Sequence, residues 1–581
     1  MNDKGEKTMN VVESAEKALT GYPSIDKPWL KYYSEEARNA KVPECSMYEY
    51  MMSRNRENLQ DIAINYFGKK ITYGQLDEQI TKCAKALVGM GIGRGDVVSL
   101  NMLAMPETVY LLYAINRLGA ICNFLVLTNT AEEIGKCIAT TNSKLIISVD
   151  LAAKKVTDAV EASGRIIPTV VVKLSESMPF VMSLFAPKCH LENQKITNWA
   201  EFCKKGKDIS CVYPQITSED ISIIAYTSGT TGQSKGVLLS NEAANALAFQ
   251  YIQAKGLLEF QRKQKFLDSI PPFLSVGLFA ALHTPLCVGM EVILSPDSNP
   301  KHFADKLLKY KPNHYLCSPL HTNNIMLDRR VDKTNLSFIV TAAYGGDGAN
   351  VEWEQTVTEF LHHHGCKRGL IKGYGLTEMA STFGTKGHST EGMIPLVKNN
   401  IKVLNLDNGE ELPYGMEGEI CVSGPSMMKG YLNHEEETAE LIWEENGTRW
   451  MHTGDLGCVS EDGCFQITGR IKRILWTVEE DGIISRVYPM KIEDIISMHA
   501  DVKRCAVVGI PNGEKGYLSK AYVVSSGLDK ENLRQEIQEL CSRKLPQNSQ
   551  PAEIEFINEL PVTSAGKVDY RELEKRAIGQ E

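Results

Sequence analysis

The fold is decided by one stretch of the chain, Tyr226-Thr-Ser-Gly-Thr-Thr-Gly-Gln-Ser-Lys-Gly-Val237. An apolar run from Ile221 to Ala225 precedes it and predicts a buried strand, and Ser240 follows it as a candidate helix N-cap. The glycines allow backbone N–H groups to approach an anion, the hydroxyl groups add donors, and the lysine supplies positive charge. We therefore predict a strand, a polyphosphate-binding loop and a helix. The loop's candidate ligands are Thr227, Ser228, Gly229, Thr230, Thr231, Gly232 and Lys235.

This stretch could also be a Walker A loop or a flexible linker. The Walker A pattern of ordinary P-loop NTPases is not met, because Gly232 and Lys235 are three residues apart and no Ser or Thr follows the lysine. A flexible linker also contains Gly, Ser and Thr, but the predicted strand before the loop and the predicted helix after it argue against a linker. Phosphate binding remains the favoured interpretation.

The whole-chain composition is that of a soluble globular protein. The 581 residues predict two or more domains, and 43% are hydrophobic and 23% charged. A net charge of −9 indicates no nucleic-acid partner and no attraction to an anionic membrane. The 15 cysteines are scattered without a paired C-x-x-C array, which favours reduced thiols. With neither a signal peptide nor a membrane-spanning apolar run in the sequence, we expect a cytoplasmic enzyme with no membrane span.

Strands alternate with helices before and after the loop. Thr72-Tyr-Gly-Gln75 has capping-box spacing, and one helical face follows from Leu76, Ile80, Cys83, Ala84 and Leu87. Strands are predicted at Val97 to Leu100, Ala120 to Leu125, Lys144 to Val149, Glu291 to Leu294, His314 to Cys317 and Phe338 to Ala343. Helices are predicted at Pro106 to about Gly119, Ala131 to Thr140 and Val351 to His363. This alternation predicts an α/β fold with a largely parallel sheet.

The remaining segments divide the chain into domains. Residues 1–45 are expected to form a polar leader, 46–471 a large domain and 472–581 a C-terminal lid domain. Short strands and turns predict a small β-rich subdomain at about 401–469, and residues 150–215 look like a peripheral elaboration. The cluster His362-His-His364 with Cys366 is interpreted as a solvated helix end, since consecutive residues point around a helix and cannot all face one metal ion.

Four further stretches carry side chains suited to a nucleotide site. They are Gly373-Tyr-Gly-Leu-Thr-Glu378, His452-Thr-Gly-Asp455, Gly469-Arg-Ile-Lys-Arg473 and Thr563-Ser-Ala-Gly-Lys567. An aromatic ring can stack on a base, a carboxylate can hold Mg²⁺ or accept from ribose hydroxyls, and a lysine can neutralise phosphate charge. Each stretch alone could equally be a surface turn or solvated charge.

Together, the five stretches resemble the adenylate-forming superfamily of acyl-CoA synthetases, beetle luciferases and peptide-synthetase adenylation domains. The resemblance extends from about Ile71 to Leu573, and Gly418-Glu-Ile-Cys-Val-Ser-Gly-Pro425 with Lys429-Gly-Tyr431 looks most like the acyl-CoA synthetase branch. It implies a large N-terminal domain of α/β sheet subdomains with a small β-rich subdomain, followed by a small mobile α/β C-terminal domain. It also implies an ATP-dependent carboxylic acid–CoA ligase that forms an acyl-adenylate, with ATP, Mg²⁺ and coenzyme A as the expected cofactors.

The resemblance also implies roles for individual residues. Residues Thr227 to Gly232 with Lys235 would hold the β- and γ-phosphates, Tyr374 would lie on adenine, and Asp455 with Arg470 would hold the ribose. Catalytic roles fall to Thr377 at the α-phosphate, Glu378 at Mg²⁺ and Lys567 between the carboxylate and the α-phosphate. Further implied positions are Gly346, Asp347 and Gly375 in the ATP site, Lys472 as the hinge and Gly482 in the CoA tunnel.

Several residues depart from the family pattern. Glu479 to Arg486 looks expanded, so the effect of this loop on the thiol tunnel is open. Lys372 stands where the family often has Asn, Gln or Asp beside the adenine amino group; since lysine only donates, Asp347 is our candidate for the acceptor. Leu274 replaces a frequent histidine and leaves no carboxylate for an α-ammonium, which favours an apolar fatty or aryl acid over an amino acid. The acid-pocket candidates are Phe273, Leu274, Gly345, Gly346 and Met379.

Two alternatives to the CoA ligase stay open at this point. A stand-alone adenylation enzyme would load an acyl carrier protein instead of CoA, and the motifs barely separate the two because both present a phosphopantetheine thiol. A catalytically silent binder is disfavoured because Lys235, Glu378, Asp455, Arg470 and Lys567 are all present. The identity of the acid, the oligomeric state and the role of the leader cannot be determined from the residues.

Overall fold

The fold was obtained as a computed structural model. The structure describes residues 19–186, 196–227, 234–346, 351–387, 392–478, 484–526, 529–563 and 567–579. None of the helices in these ranges is long and apolar enough to cross a membrane.

The described strands, in chain order, are β1 (Ile62–Tyr66), β2 (Lys69–Thr72), β3 (Val97–Asn101), β4 (Ile121–Phe124), β5 (Leu145–Val149), β6 (Thr169–Val172), β7 (Ile196–Asn198), β8 (Ile221–Tyr226), β9 (Gly236–Ser240), β10 (Lys265–Asp268), β11 (Glu291–Leu294), β12 (His314–Cys317), β13 (Thr341–Gly345), β14 (Leu370–Leu376), β15 (Ser381–Lys386), β16 (Met393–Pro395), β17 (Asn400–Leu404), β18 (Gly418–Ser423), β19 (Gly430–Tyr431), β20 (Ile442–Glu445), β21 (Thr448–Val459), β22 (Phe465–Arg470), β23 (Leu475–Val478), β24 (Ile484–Val487), β25 (Val502–Pro511), β26 (Tyr517–Ser525) and β27 (Glu553–Phe556).

The described α-helices are α1 (Pro23–Asp26), α2 (Glu35–Asn39), α3 (Met47–Ser53), α4 (Tyr73–Gly89), α5 (Pro106–Arg117), α6 (Ala131–Thr140), α7 (Ala153–Ala162), α8 (Phe180–Ser183), α9 (Trp199–Lys205), α10 (Asn241–Gln253), α11 (Thr284–Val288), α12 (Phe303–Tyr310), α13 (Pro319–Met326), α14 (Val351–His363), α15 (Glu435–Leu441), α16 (Pro489–Ser497), α17 (Lys530–Lys544) and α18 (Tyr570–Ala577). A π-helical segment, Val276–His283, leads into α11.

The first sheet has the strand order β19-β9-β8-β4-β3-β5-β6-β7. The neighbouring strands β8, β4, β3, β5, β6 and β7 pair in parallel. Strand β9 runs antiparallel to β8, and β19 runs antiparallel to β9. The predicted α/β architecture is therefore confirmed. Residues 150–215 were wrongly interpreted as a peripheral elaboration, since they contain α7 and the strand β6, which extends this sheet beside β5.

The second sheet contains 14 strands within the described residues, in the order β17-β18-β21-β22-β16-β15-β14-β13-β12-β10-β11-β1-β2, with β20 paired to β21. Its central strands, from β1 through β11, β10, β12 and β13 to β14, are parallel, and the strands from β15 to β17 are antiparallel. The predicted strands at about 401–469 lie in this antiparallel part and continue the same sheet.

The largest hydrophobic core contains residues of both sheets together with α4, α5 and α10. The prediction for α4 is confirmed in detail, because Thr72 and Gln75 form the capping box and Leu76, Ile80, Cys83, Ala84 and Leu87 are all buried. Spacings of three and four residues place these side chains on one stripe of the helix, which packs into the core.

The C-terminal part forms a separate small α/β unit. Strands β25, β26 and β27 make a three-stranded sheet, and β23 and β24 form a two-stranded hairpin. The sheet packs on α16 and α17 through one cluster and on α18 through another. Among the described residues, Lys491 pairs with Glu417 at 3.0 Å and Arg486 with Asp407 at 2.5 Å, which joins this unit to the loop between β17 and β18.

Candidate active site

The base of the phosphate loop is closed by hydrogen bonds across its two ends. Thr227 N donates to Lys235 O at 3.2 Å, Lys235 N donates to Thr227 Oγ1 at 3.3 Å, and Ser234 Oγ donates to Thr227 O at 2.5 Å. The candidates Ser228, Gly229, Thr230, Thr231 and Gly232 lie outside the described residues. The helix predicted after the loop is confirmed with Ser240 as its N-cap, and the sequence interpretation missed the strand β9, which pairs antiparallel with β8 before α10 begins.

Lys235 lies on the ring of Tyr431. Its Nζ is 5.0 Å from the ring centroid and 3.4 Å from Glu437 Oε1 on α15. The Tyr431 hydroxyl group in turn donates to Glu378 Oε1 at 2.7 Å. One tyrosine therefore links the lysine of the predicted phosphate loop with the carboxylate predicted to hold Mg²⁺. The sequence analysis assigns Tyr431 only to a branch signature.

Glu378 lies in a tight turn between β14 and β15. Residues Thr377–Met379 form one 3₁₀ turn, and Ala380 has a left-handed backbone with φ of 46°. Gly375 is needed just before this turn, because a Cβ there would lie 1.5 Å from Ser381 O. The turn places Thr377 and Glu378 at the carboxyl end of a parallel strand, where ligands bind in open α/β sheets.

Tyr374, Asp455 and Arg470 form one hydrogen-bonded group. Tyr374 Oη donates to Asp455 Oδ2 at 2.6 Å, and Arg470 Nε donates to Asp455 Oδ1 at 2.7 Å. Asp455 and Arg470 are also register partners in β21 and β22. Burial raises the pKa of the 1% exposed Asp455, and the Arg470 guanidinium offsets this only in part. Three residues from three predicted stretches therefore meet at one place.

The turn that carries Asp455 is held by Glu419, a residue outside the predicted site. Glu419 Oε1 accepts from Gly454 N at 3.0 Å, and Oε2 lies 2.8 Å from His452 Nδ1. With Cys421, these side chains place three potential metal-ligand atoms within 4.8 Å of one another. Both carboxylate oxygens are already engaged with the turn, so we assign Glu419 a positioning role for Asp455.

Lys372 is paired with a carboxylate that the sequence interpretation missed. Glu354, on α14 and 8% exposed, accepts from Tyr344 Oη at 2.6 Å and from Lys372 Nζ at 3.0 Å through Oε1. Lys386 Nζ lies 3.2 Å from its Oε2. Burial raises the pKa of Glu354, but Lys372, Tyr344 and Lys386 outweigh it, and the pKa lies below its usual value. Asp347, the proposed acceptor for adenine, lies outside the described residues.

Lys567 reaches the large domain from the C-terminal unit. A Cβ built on Gly346 would lie 4.0 Å from Lys567 Cε, and the Lys567 charge also acts on Asp455. Gly346 has φ of 83°, a left-handed backbone that favours glycine. The last predicted motif is thus close to residues predicted for the nucleotide site, although it lies far along the chain from the first motif.

Lys472 lies in the short 3₁₀ segment Ile471–Arg473, directly after Arg470. Its neighbour Arg473 pairs with Glu493 of α16 at 2.5 Å and lies 3.7 Å from the centroid of the Tyr570 ring. The segment therefore joins the last strand of the second sheet to the C-terminal unit. Gly482, the candidate for the CoA tunnel, lies outside the described residues.

The acid-pocket candidates come from three segments: Phe273 and Leu274 precede the π-helical segment, Gly345 and Gly346 lie at the end of β13, and Met379 lies in the turn after β14. Phe273 and Met379 are buried in the large core, Leu274 is half-buried against it, Gly345 is half-buried and Gly346 is exposed. Half-buried apolar side chains that sequence reasoning missed pack against the same core. They are Tyr251, Ile252, Phe260, Ile270, Leu316 and Ala343. Strand register places Leu316 beside Ala343, and tertiary packing brings the other four residues, from α10 and the loops, against them.

With this geometry established, the chain can be compared with known proteins. Residues 53–432 match the family model described as AMP-binding enzyme, and residues 491–567 match that of the AMP-binding enzyme C-terminal domain. The chain belongs to the family of AMP-binding enzymes.

Similar proteins extend over nearly the full length of the chain. A long-chain-fatty-acid–CoA ligase of Bacillus subtilis is 28% identical over 94% of this chain and 97% of its own length. A long-chain-fatty-acid–CoA ligase of Escherichia coli O6:H1 is 27% identical over 96% of this chain and 99% of its own length. The crystal structure of the anthranilate CoA ligase AuaEII with anthranoyl-AMP superimposes with a TM-score of 0.78 at 20% identity, covering 93% of this chain and 99% of that one. The last likeness confirms the adenylate-forming enzyme fold.

Proposed function

We propose that the protein is an ATP-dependent carboxylic acid–CoA ligase whose acid is apolar, either fatty or aryl. The observation that carries the proposal is the approach of Lys567 to Gly346, beside Tyr374, Asp455 and Arg470. A lysine from one domain and a nucleotide-binding group from another converge, which suits a reaction that must bring two anions together.

The residues fit ATP and Mg²⁺ on chemical grounds. Asp455 is a buried carboxylate that can accept from ribose hydroxyls, Lys235 offers a cation to phosphate oxygens, and Gly346 leaves room beside Lys567. Glu378 would hold Mg²⁺, which neutralises phosphate charge, because carboxylate oxygens are the ligands that this ion prefers. We assign Thr377 to the α-phosphate and Tyr374 to the face of the adenine.

The proposed chemistry has two steps. A carboxylate oxygen of the acid attacks the α-phosphorus of ATP, the bond to the β-phosphate oxygen breaks, and pyrophosphate leaves. The thiol sulfur of CoA then attacks the carbonyl carbon, AMP leaves, and the thiol proton passes to solvent. Lys567 serves the first step by lowering the repulsion between the two anions. For the second step, we propose that the C-terminal unit rotates about Lys472 and moves Lys567 away.

The apolar acid is supported by the chemistry of the pocket face. Phe273, Leu274 and Met379 bring no carboxylate that could pair with an α-ammonium group, and burying an unpaired ammonium group is costly. The fatty-acid ligases named above are 27–28% identical to this chain, which agrees with a fatty acid.

The test is pyrophosphate release with Mg·ATP and a panel of fatty, aryl and amino acids, each with and without CoA. The proposal expects sustained release that requires one apolar acid and CoA. A single acid-dependent burst that CoA does not change would instead indicate loading of a carrier-protein thiol. Release with amino acids alone, or with none of the acids, would contradict the proposal.

A further inference from the structure

The end of β10 carries a buried carboxyl group that the reaction does not use. Asp268 is 2% exposed, and its Oδ1 accepts from Ile270 N at 3.1 Å. Its second oxygen accepts no hydrogen bond from any residue that the structure describes, and it is not among the described polar atoms that are fully buried without a partner, so it retains some accessible surface. The bond to Ile270 is an Asx turn, which explains one oxygen and leaves the other unexplained.

The strand pattern shows which face of the sheet Asp268 belongs to. Phe266, two residues earlier, packs with Ala281 and with the half-buried Ile252, Phe260 and Ile270. Side chains alternate along a strand, so Asp268 projects to the same face as Phe266. This is the face of α10 and the π-helical segment, where the acid-pocket residues lie.

The register with neighbouring strands gives the position of Asp268 in that pocket. Leu267 pairs with Tyr315, so Asp268 lies beside Leu316, and Leu316 pairs with Ala343 on the next strand. The row Ala343, Leu316, Asp268 therefore runs across the sheet. Leu316 and Ala343 are only half-buried although they lie on central strands, which indicates open space above the row.

The distance from the reacting end follows from strand geometry. Neighbouring strands are about 4.8 Å apart and successive residues rise about 3.3 Å, so Asp268 lies roughly 12 Å from Gly345. Gly345 precedes Gly346, the residue that Lys567 approaches. The carboxyl group of Asp268 thus lies at the far end of the pocket, away from the carboxylate that reacts.

A hydroxyl group is the partner that suits this carboxyl group. Burial raises the pKa of Asp268 to about 8, so the group carries a proton at neutral pH and can both donate and accept. A hydroxyl group has the same two capacities, and pairing the two buries no charge. A purely apolar chain that displaces water from the second oxygen of Asp268 would leave this oxygen without a partner.

We propose that Asp268 determines specificity in the acid pocket by hydrogen bonding to a hydroxyl group at the apolar end of the acid substrate. This inference rests on the proposed function and extends it to a substrate class, the hydroxylated apolar carboxylic acids. Apolar side chains surround the rest of the bound acid, so the single polar contact selects both the presence and the position of the hydroxyl group.

The test compares matched acids of one chain length, unsubstituted or carrying one hydroxyl group at successive positions. The ratio of kcat/KM between the hydroxylated and unsubstituted acid is measured for the wild type, Asp268→Ala and Asp268→Asn. The wild type is expected to prefer one hydroxylated acid by about 10-fold or more. Asp268→Ala should bring the ratio to 1 or below, and Asp268→Asn should retain part of the preference because the amide also donates and accepts.

The outcomes separate this inference from the proposed function. Thioester formation by the wild type with no preference for any hydroxylated acid overturns the inference and leaves the ligase proposal standing. An equal ratio in all three proteins does the same. If Asp268→Ala does not fold, Asp268→Asn still keeps the bond to Ile270 N and decides the question through the same ratio. No thioester with any acid would contradict the proposed function and, with it, the inference.

Discussion

Lys567 Cε lies 4.0 Å from the position that a Cβ would occupy on Gly346. The two residues belong to different domains, and Gly346 directly follows the strand β13 of the large domain. The Lys567 charge also acts on Asp455, which binds Tyr374 and Arg470. The first two predictions depend on this contact.

Lys567→Ala should strongly reduce formation of the acyl-adenylate and leave transfer of the acyl group to CoA nearly unchanged. Removing the cation from between two anions is expected to lower acid-dependent pyrophosphate release at least about 100-fold. Thioester formation from an added acyl-adenylate should stay within a few-fold of the wild-type rate. Lys575→Ala, on the exposed face of α18, is the control. Equal losses in both steps would contradict the proposed role of Lys567.

Gly346→Ala should impair the same step by a different route. The φ of 83° strains any non-glycine residue by about 1 kcal/mol, and the new methyl group would point toward Lys567. Pyrophosphate release is expected to fall about 10-fold. Gly91→Ala is a matched control, because Gly91 has φ of 80° and no atom within 4 Å of a built Cβ. Comparable loss of activity in the control would show that strain alone causes the defect.

Tyr374→Phe should weaken ATP binding without unfolding the protein. The change removes the 2.6 Å hydrogen bond to the buried Asp455, which keeps its ion pair with Arg470. A hydrogen bond to a charged group of this kind corresponds to roughly a 10-fold rise in the KM for ATP. Tyr32→Phe removes a longer 3.4 Å contact to Asp462 outside the site and serves as the control. An unchanged KM for ATP in Tyr374→Phe would contradict the assignment of Asp455 to the nucleotide site.

Lys372 and Lys386 share the carboxylate of Glu354, so comparing variants of the two lysines distinguishes an effect on stability from an effect on ATP recognition. Lys372 and Lys386 each contact Glu354, at 3.0 and 3.2 Å. Lys372→Gln and Lys386→Gln should each lower the free energy of unfolding by about 1 to 3 kcal/mol. Only Lys372→Gln is expected to lower the KM for ATP, since the amide oxygen can accept from the adenine amino group and Lys372 lies two residues before Tyr374. A similar KM change in both variants would assign Lys372 to stability alone.

Asp268 should make stability fall as the pH rises. The unfolded chain releases this proton near pH 4, whereas the folded chain holds it up to about pH 8. The folded state therefore binds more protons between these values, and its free energy of unfolding decreases as the pH increases through this window.

The prediction is checked by the Tm of the wild type and Asp268→Asn at pH 5, 6, 7 and 8. The wild type should lose stability relative to the variant at each step. Asp208→Asn, at an exposed position, should show no such trend. A difference in Tm that does not change with pH would mean that Asp268 is already ionised at pH 5.

The sequence by itself determined the parts that depend on local patterns. The capping box of Thr72 and Gln75, the helix Ala131–Thr140 and the helix Val351–His363 were predicted with these bounds, because caps and apolar periodicity act within a few residues. The five spaced motifs likewise identified the family, since their order along the chain is a property of the sequence.

Other features were decided only by the tertiary structure. The strand β9 could not be predicted after the glycine-rich loop, because it forms by pairing with β8 and β19. Strand β6 joined the first sheet through pairing with β5. Glu354 and Glu419 became part of the site through partners up to 35 residues away, Gly454 among them. Asp268 lies on the pocket face because of the registers of β10, β12 and β13. Burial and strand pairing depend on the whole chain, and for that reason local sequence patterns do not specify them.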